Sequence, residues 1–248
     1  MSVAQPFPYP RRPRSRRLLR ALRTTLLLIV AVLVLALTAG AVYVATLPGV
    51  GDARDRAQRL MAVHHEPPGM PVPSRLAAAV IVTEDEHFDA NVVLNVATGA
   101  GRAGLAVLNG GSNPGGATID QQLAKRLYGH GAGLGGTLRQ IGLGIRLGLH
   151  WSHHELLAMY LNVNYYGNGF WGVRQASEGY FHTAPARLSW AQAAMLAGLL
   201  QAPSAYDPLT HPALARERRA HVLDQLVGNG KLSASQARVA SAAAVARR

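Results

Sequence analysis

The chain has 248 residues, 49% of them hydrophobic, no cysteine and a formal charge of +12. That is enough for one domain of ordinary size with appendages, and the absence of cysteine fits an extracytoplasmic domain that neither needs nor risks disulfides. So basic a chain could bind nucleic acid, but the charge is unevenly placed: residues 1–23 hold seven arginines and no acid, and the rest carries 18 basic against 13 acidic residues.

The segment after the arginines decides the matter. Residues 24–47 contain no charge and are dominated by Leu, Val and Ala. As a helix they would be about 36 Å long, enough to cross a hydrocarbon core of roughly 30 Å with some tilt. The arginines then act as a positive-inside signal, with the N-terminus in the cytoplasm and the remainder outside, which excludes nucleic acid as partner. A cleaved signal peptide is the rival reading, with Ala39-Gly40-Ala41 as a cleavage site. Its apolar region would be only about 7–15 residues, so an uncleaved anchor is expected. Residues 48–73, with Pro67-Pro68-Gly69, Pro71 and Pro73, form a linker or the first strap of the domain. Within it, His64-His65-Glu66 reads as solvated linker rather than metal site, because adjacent histidines point in different directions.

From Ser74 onward the signals are helical, with no alternating strand run and no internal repeat. Ser74 can cap a short helix through the apolar run 76–82. That helix delivers four of the chain's 13 acids within six positions: Glu84, Asp85, Glu86 and Asp89. Clustered like charges and a helix C-terminus both raise a carboxyl pKa, which makes Glu84 a candidate general base. The bland alternative is a solvated helix end. Residues 91–116 are a low-complexity mixture of Gly, Ala, Val, Leu and Asn. They suit a mobile segment dipping into the lipid interface, or a loosely packed helical hairpin.

Thr118 and Gln121 have capping-box spacing, so a helix begins there. Thr118, Gln121, Gln122 and Lys125 share one polar face, opposite Ile119, Leu123 and Leu127. A helix N-terminus after two glycines, followed by Lys125 and Arg126, suits a phosphate or pyrophosphate, although the P-loop ending is missing. A surface stripe is the plainer reading. Residues 129–136 form a glycine loop, and 137–150 a helix with Arg139, Gln140 and Arg146, whose Gly144 and Gly148 permit close packing. Ser152 and Glu155 make a capping box for the helix through Tyr160-Leu161-Asn162, which disfavours zinc at His153 and His154. Residues 165–172 are an aromatic and glycine turn, for stacking on sugars or for packing. Ser189 and Gln192 cap a hydrophobic helix over 190–200, and Arg216 to Arg219 begin a final basic amphipathic helix.

Together these stretches resemble the peptidoglycan glycosyltransferases of family 51, the monofunctional transglycosylases and the N-terminal halves of class A penicillin-binding proteins. The resemblance covers residues 74–226 in order. Its Glu-Asp-x-x-Phe motif stands as Glu84-Asp85-Glu86-His87-Phe88. The Gly-x-Ser-Thr-x-x-Gln-Gln-Leu-x-Lys pattern runs from Gly115 to Lys125 with Ala117 replacing Ser. Tyr160-Leu161-Asn162 with Tyr166-Gly167-Asn168-Gly169, and Arg218-Arg219-Ala220-His221-Val222-Leu223, follow in the family's order.

The resemblance implies a mainly α-helical, lysozyme-like domain over residues 74–228 with a tail over 229–248; as the sequence stops at Arg248, no transpeptidase domain is expected. It implies a hexosyltransferase of cell-wall biogenesis and cell shape, polymerising lipid II on the outer face of the cytoplasmic membrane. Glu84 would be the catalytic base, and Asp85, Phe88, Thr118, Gln121, Gln122, Lys125, Arg126, Gln140, Arg146 and Asn162 would bind substrate. Its partners would be lipid II, the growing glycan strand and other wall-synthesis proteins; no cofactor is required and no metal ligand is named, with Mg²⁺ or another divalent cation the one the resemblance allows. Three departures stand out. The first motif's continuing His and Gly are Asn91 and Val93. The family's Arg-Lys-x-x-Glu has Gln140 at the Glu, and no acid occurs between Asp120 and Glu155. The acid usual before Tyr160-Leu161-Asn162 is Ala158. A catalytically weak relative that binds lipid II or scaffolds wall synthesis is the alternative implied.

Overall fold

The structure is a computed structural model that describes residues 14–67, 69–89, 117–129, 131 and 133–244. The expectations for 91–116, including Asn91 and Val93, and for Arg11 and Arg12 lie outside the described residues. The chain divides into two units, Met1–Thr46 and Leu47–Arg248. The first is one helix, α1 (Arg14–Thr46), and its stretch Leu18–Thr46 is long and apolar enough to cross a membrane. None of that stretch is buried by protein, so its Leu, Ile and Val side chains have no core of their own.

The second unit contains α2 (Ala53–Val63), α3 (Ser74–Glu84), α4 (Ile119–Tyr128), α5 (Gly133–His150) and α6 (His153–Val163). Then come α7 (Gly172–Phe181), a 3-10 turn (Pro185–Arg187), α8 (Trp190–Gln201), α9 (Pro212–Gly228) and α10 (Ala234–Ala242). Among the described residues the only strand-like pairing is one antiparallel bridge, Tyr165 with Trp171. The mainly α expectation agrees with this.

Two helices make the centre. Both begin with complete capping boxes, Ser152 with Glu155 for α6 and Ser189 with Gln192 for α8. The box fixes where each helix starts, and the apolar run that follows is buried almost entirely: residues 156–163 in α6, and 191 and 193–199 in α8. Each buried Leu there contributes about 1.5–3 kcal/mol relative to exposure. α3 and α9 pack on α8, and α4 is held between α5 and α6. Gly144 permits the α4–α5 approach, since a Cβ there would meet Gln121 backbone nitrogen at 3.1 Å.

Several boundaries differ from the sequence reading. Pro73, not Ser74, is the N-cap of α3, its extended backbone accepting from Ala77 N–H without a side-chain cap. α5 begins at Gly133 rather than Thr137, whose hydroxyl donates to the Gly133 carbonyl. α9 begins at Pro212, which suits a first helical position because its missing N–H is not needed there. The stretch read as linker carries α2, whose Ala53, Ala57 and Met61 join the core. The stretch read as tail carries α10, which has its own Ser233–Gln236 box and buries Ala237 and Ala240.

The solvated-linker reading of His64-His65-Glu66 also gives way. His64 stacks on Trp171 at 3.6 Å between ring centroids. Glu66 is only 5% exposed, and its carboxyl faces the Arg174 and Gln175 N–H groups in the first turn of α7. An anion at a helix N-terminus complements the dipole there. Gly172, at φ +74°, makes room: a Cβ would lie 2.7 Å from Glu66 Cδ.

Candidate active site

Glu84 is the last residue of α3, half-buried where the helix ends. Burial pushes its carboxyl above the ordinary value; Gln122 and the Arg218 charge pull it back, and Asp85 pushes it up. Gln122 Nε2 donates to Glu84 Oε2 at 3.1 Å and to the Ala117 carbonyl at 3.0 Å. Its Oε1 accepts from Tyr160 O–H at 3.0 Å. A proton acceptor of raised pKa is thus fixed at the mouth of α4, as general-base work requires.

The neighbouring acids have a different setting. Asp85 is buried, and its Oδ2 accepts from Ile119 N–H at 3.0 Å. Together with Thr118, whose hydroxyl accepts from Gln121 N–H, it satisfies the start of α4. The reciprocal half of the expected capping box is missing: buried Gln121 Nε2 has no hydrogen-bond partner among the described residues. Asp120 is 2% exposed, and burial first, then the Asp85 charge, raise its pKa to about 7. Phe88 is a core side chain, 5.1 Å between ring centroids from His153.

The polar stripe of α4 runs from inside to outside. Thr118 and Gln121 are buried, Gln122 reaches Glu84, and Lys125 and Arg126 are exposed. Arg126 Nε donates to Asn164 Oδ1 at 3.1 Å, and Asn164 Nδ2 donates to the Tyr160 carbonyl at 2.8 Å. One turn of chain at the end of α6 therefore touches both the carboxylate arrangement and the cation.

Three expected site residues are engaged elsewhere. Gln140 Nε2 donates to the Gln121 carbonyl at 3.2 Å, tying α5 to α4. Arg146 donates to the Leu47 carbonyl. Asn162 is buried and donates to the Pro71 and Ala158 carbonyls, fastening α6 to the strap before α3. Conversely, Arg218, Tyr160 and Asn164, none of them named as candidates, act on Glu84, Gln122 and Arg126 respectively. Arg218 stood in the last motif, and its Nε reaches the Gly198 carbonyl at 3.4 Å while its charge acts on Glu84. Tyr160 stood in the fourth motif; Asn164 had no sequence signal at all.

A divalent cation does not fit the residues described. Among them, no three His, Asp or Glu side chains gather as a ligand set. The position where the resemblance expects a Glu offers an amide that already donates to a backbone carbonyl. A hard cation needs oxygen ligands with charge, which Gln140 does not supply. A cavity of about 620 Å³ opens elsewhere, lined by Arg54, Met61, Glu66, Met70, Glu155 and Ala158 among others. Neither Glu84 nor Gln122 lines it.

A model of the transglycosylase family matches residues 57–227. Penicillin-binding protein 2a of Streptococcus pneumoniae is 38% identical over 166 residues, 66% of this chain and 22% of that protein. Penicillin-binding protein 1A of Mycobacterium tuberculosis is 37% identical over 167 residues, 65% of this chain and 20% of that protein. The chain therefore spans about a fifth of the length of these two. A Cupriavidus necator protein provisionally named a transglycosylase is 32% identical over 209 residues, 82% of this chain and 90% of that one. The crystal structure of penicillin-binding protein 1A from Haemophilus influenzae matches with TM-score 0.37 and 25% identity over 51% of this chain and 16% of that one.

Proposed function

The chain belongs to the transglycosylase family, and from that premise we propose that it is a peptidoglycan glycosyltransferase that lengthens glycan strands from lipid II. The observation that carries the reading is Glu84, half-buried with raised pKa and held by Gln122 beside the helix that presents Lys125 and Arg126. A sugar 4-hydroxyl gives its proton to Glu84 as its oxygen attacks the anomeric carbon of the lipid-linked sugar. The bond from that carbon to the pyrophosphate oxygen breaks on the opposite face, so configuration inverts. Charge builds on the departing polyprenyl pyrophosphate, which Lys125 and Arg126 stabilise; pyrophosphate needs no protonation to leave. No step is routed through a metal. The apolar helix α1 supports anchoring in the cytoplasmic membrane, with the arginine-rich N-terminus inside and the second unit outside, where the lipid substrate is tethered.

A specific observation favours a second reading, a membrane-anchored relative that binds lipid II without polymerising it. In the ungapped register of the resemblance Gln140 takes the place of the family's second Glu, and its amide donates to the Gln121 carbonyl. The test is Glu84→Gln in the full chain with purified lipid II. Polymerisation should fall by about 10² or more while lipid II binding persists, the usual scale for a general base. Full turnover by Glu84→Gln would remove Glu84 from the chemistry.

A further inference from the structure

Gln122 is the one side chain that hydrogen-bonds the Glu84 carboxyl among the described residues, and its orientation is not free. An amide has a donating and an accepting end that can exchange places by a half-turn. Here the nitrogen faces two oxygens, Glu84 Oε2 at 3.1 Å and the Ala117 carbonyl at 3.0 Å. A carbonyl cannot donate, so Ala117 requires the nitrogen on its side. At the other end, Tyr160 O–H points at Gln122 Oε1 at 3.0 Å. Tyr160 itself is 1% exposed and packed in the run of eight buried residues of α6. A phenol in that position has little rotational freedom.

We propose that Tyr160 is a positioning residue for the transfer reaction: through Gln122 it holds an N–H against Glu84, keeping the base ionised and aimed. The inference rests on Glu84 being the base. The chain of contacts is Tyr160 O–H to Gln122 Oε1, then Gln122 N–H to Glu84 Oε2, so each proton donor points toward the carboxylate. Hydrogen bonding to the charged form of an acid favours that form, which opposes the desolvation that Glu84 suffers. Burial also raises the Tyr160 hydroxyl well above its ordinary pKa, so it remains a donor throughout the working range. Without the hydroxyl, Gln122 Oε1 loses its partner, the amide can turn, and Glu84 can face an oxygen instead of an N–H.

The test uses Tyr160→Phe, Gln122→Met and the double variant in the full chain, with lipid II polymerisation followed from pH 5 to 9. Tyr160→Phe should lower kcat about tenfold with KM nearly unchanged. The acid limb of the profile, set by Glu84, should move about half a unit or more to higher pH, because a carboxylate that loses a donor binds its proton more tightly. Gln122→Met should move the limb the same way. The double variant should be no slower than Gln122→Met alone, since Tyr160 acts through Gln122. A Tyr160→Phe enzyme with wild-type rate and limb overturns the proposal. So does a double variant whose losses multiply, which is what a purely structural tyrosine gives. If Tyr160→Phe fails to fold, 3-fluorotyrosine at position 160 carries the test. Its more acidic hydroxyl donates more strongly to Gln122 and should move the acid limb to lower pH, and an unmoved limb overturns the relay. Failure of the underlying reading looks different: Glu84→Gln would keep turnover and no variant would shift the limb.

Discussion

Asp120 lies in the first turn of α4, 2% exposed, with one carboxyl oxygen that has no hydrogen-bond partner among the described residues. The helix dipole favours a charge there, but burial and the Asp85 charge oppose it and prevail, giving a pKa of about 7. The sign of the consequence follows from linkage. An ordinary aspartate in the unfolded chain titrates near 3.9, so the folded form binds more protons between about pH 4 and 7. The associated stability is full below the unfolded pKa and is lost as pH rises through the folded one. The full-length protein should therefore melt at lower temperature at pH 8 than at pH 5, and Asp120→Asn should flatten most of that slope. A slope unchanged by Asp120→Asn would mean that another group titrates. At this scale the sequence was readable where chemistry is local. Glu84 emerged from an apolar helix among like charges, and Gln122 and Lys125 followed from helical spacing. Tyr160, Asn164 and Arg218 reach Glu84 or Arg126 only through packing between distant segments, which spacing along the chain cannot reveal. The same is true of Arg146 and Gln140, whose donors are taken by Leu47 and Gln121 carbonyls.

Among the helices, α10 shows what an element-level reading of sequence misses. Its residues are small and polar by composition, so residues 229–248 looked like a tail. A buried arginine from another helix changes that. Arg219 is 2% exposed and donates to the Ser241, Ala243 and Ala244 carbonyls at the end of α10. Those carbonyls have no partner within the helix, and a cation there also complements the dipole. Arg219→Met keeps much of the packing and removes the donors. Hydrogen bonds to a charged group contribute about 1.5–3 kcal/mol. Amide exchange over residues 234–242 should therefore quicken roughly ten- to hundredfold, with α3 and α8 little changed; unaltered exchange in α10 would refute this role for Arg219. The elements that were legible, α6 and α8, carry a complete capping signal followed by an apolar run. α2 was obscured by the prolines after it, although its buried apolar residues Ala53, Ala57 and Met61 recur with helical spacing.

The whole molecule combines an apolar helix, a helical domain and one carboxylate held at the mouth of α4. The long uncharged run was legible because nothing but length and composition defines it. The order of the motifs brought the family into view for the same reason: each is local, and their sequence along the chain is directly readable. What the motifs could not convey is whether the chain is a polymerase or a binding protein, since that depends on charge balance around a leaving pyrophosphate. Under the proposed mechanism Lys125 and Arg126 supply the stabilising charge and Mg²⁺ contributes little. The most direct measurement is polymerisation of purified lipid II by the unaltered full chain in vesicles, run with Mg²⁺ and again with a chelator. The expected result is glycan strands in both, at rates within a few-fold of each other. Lipid II that binds but is never polymerised, with metal or without, would contradict it.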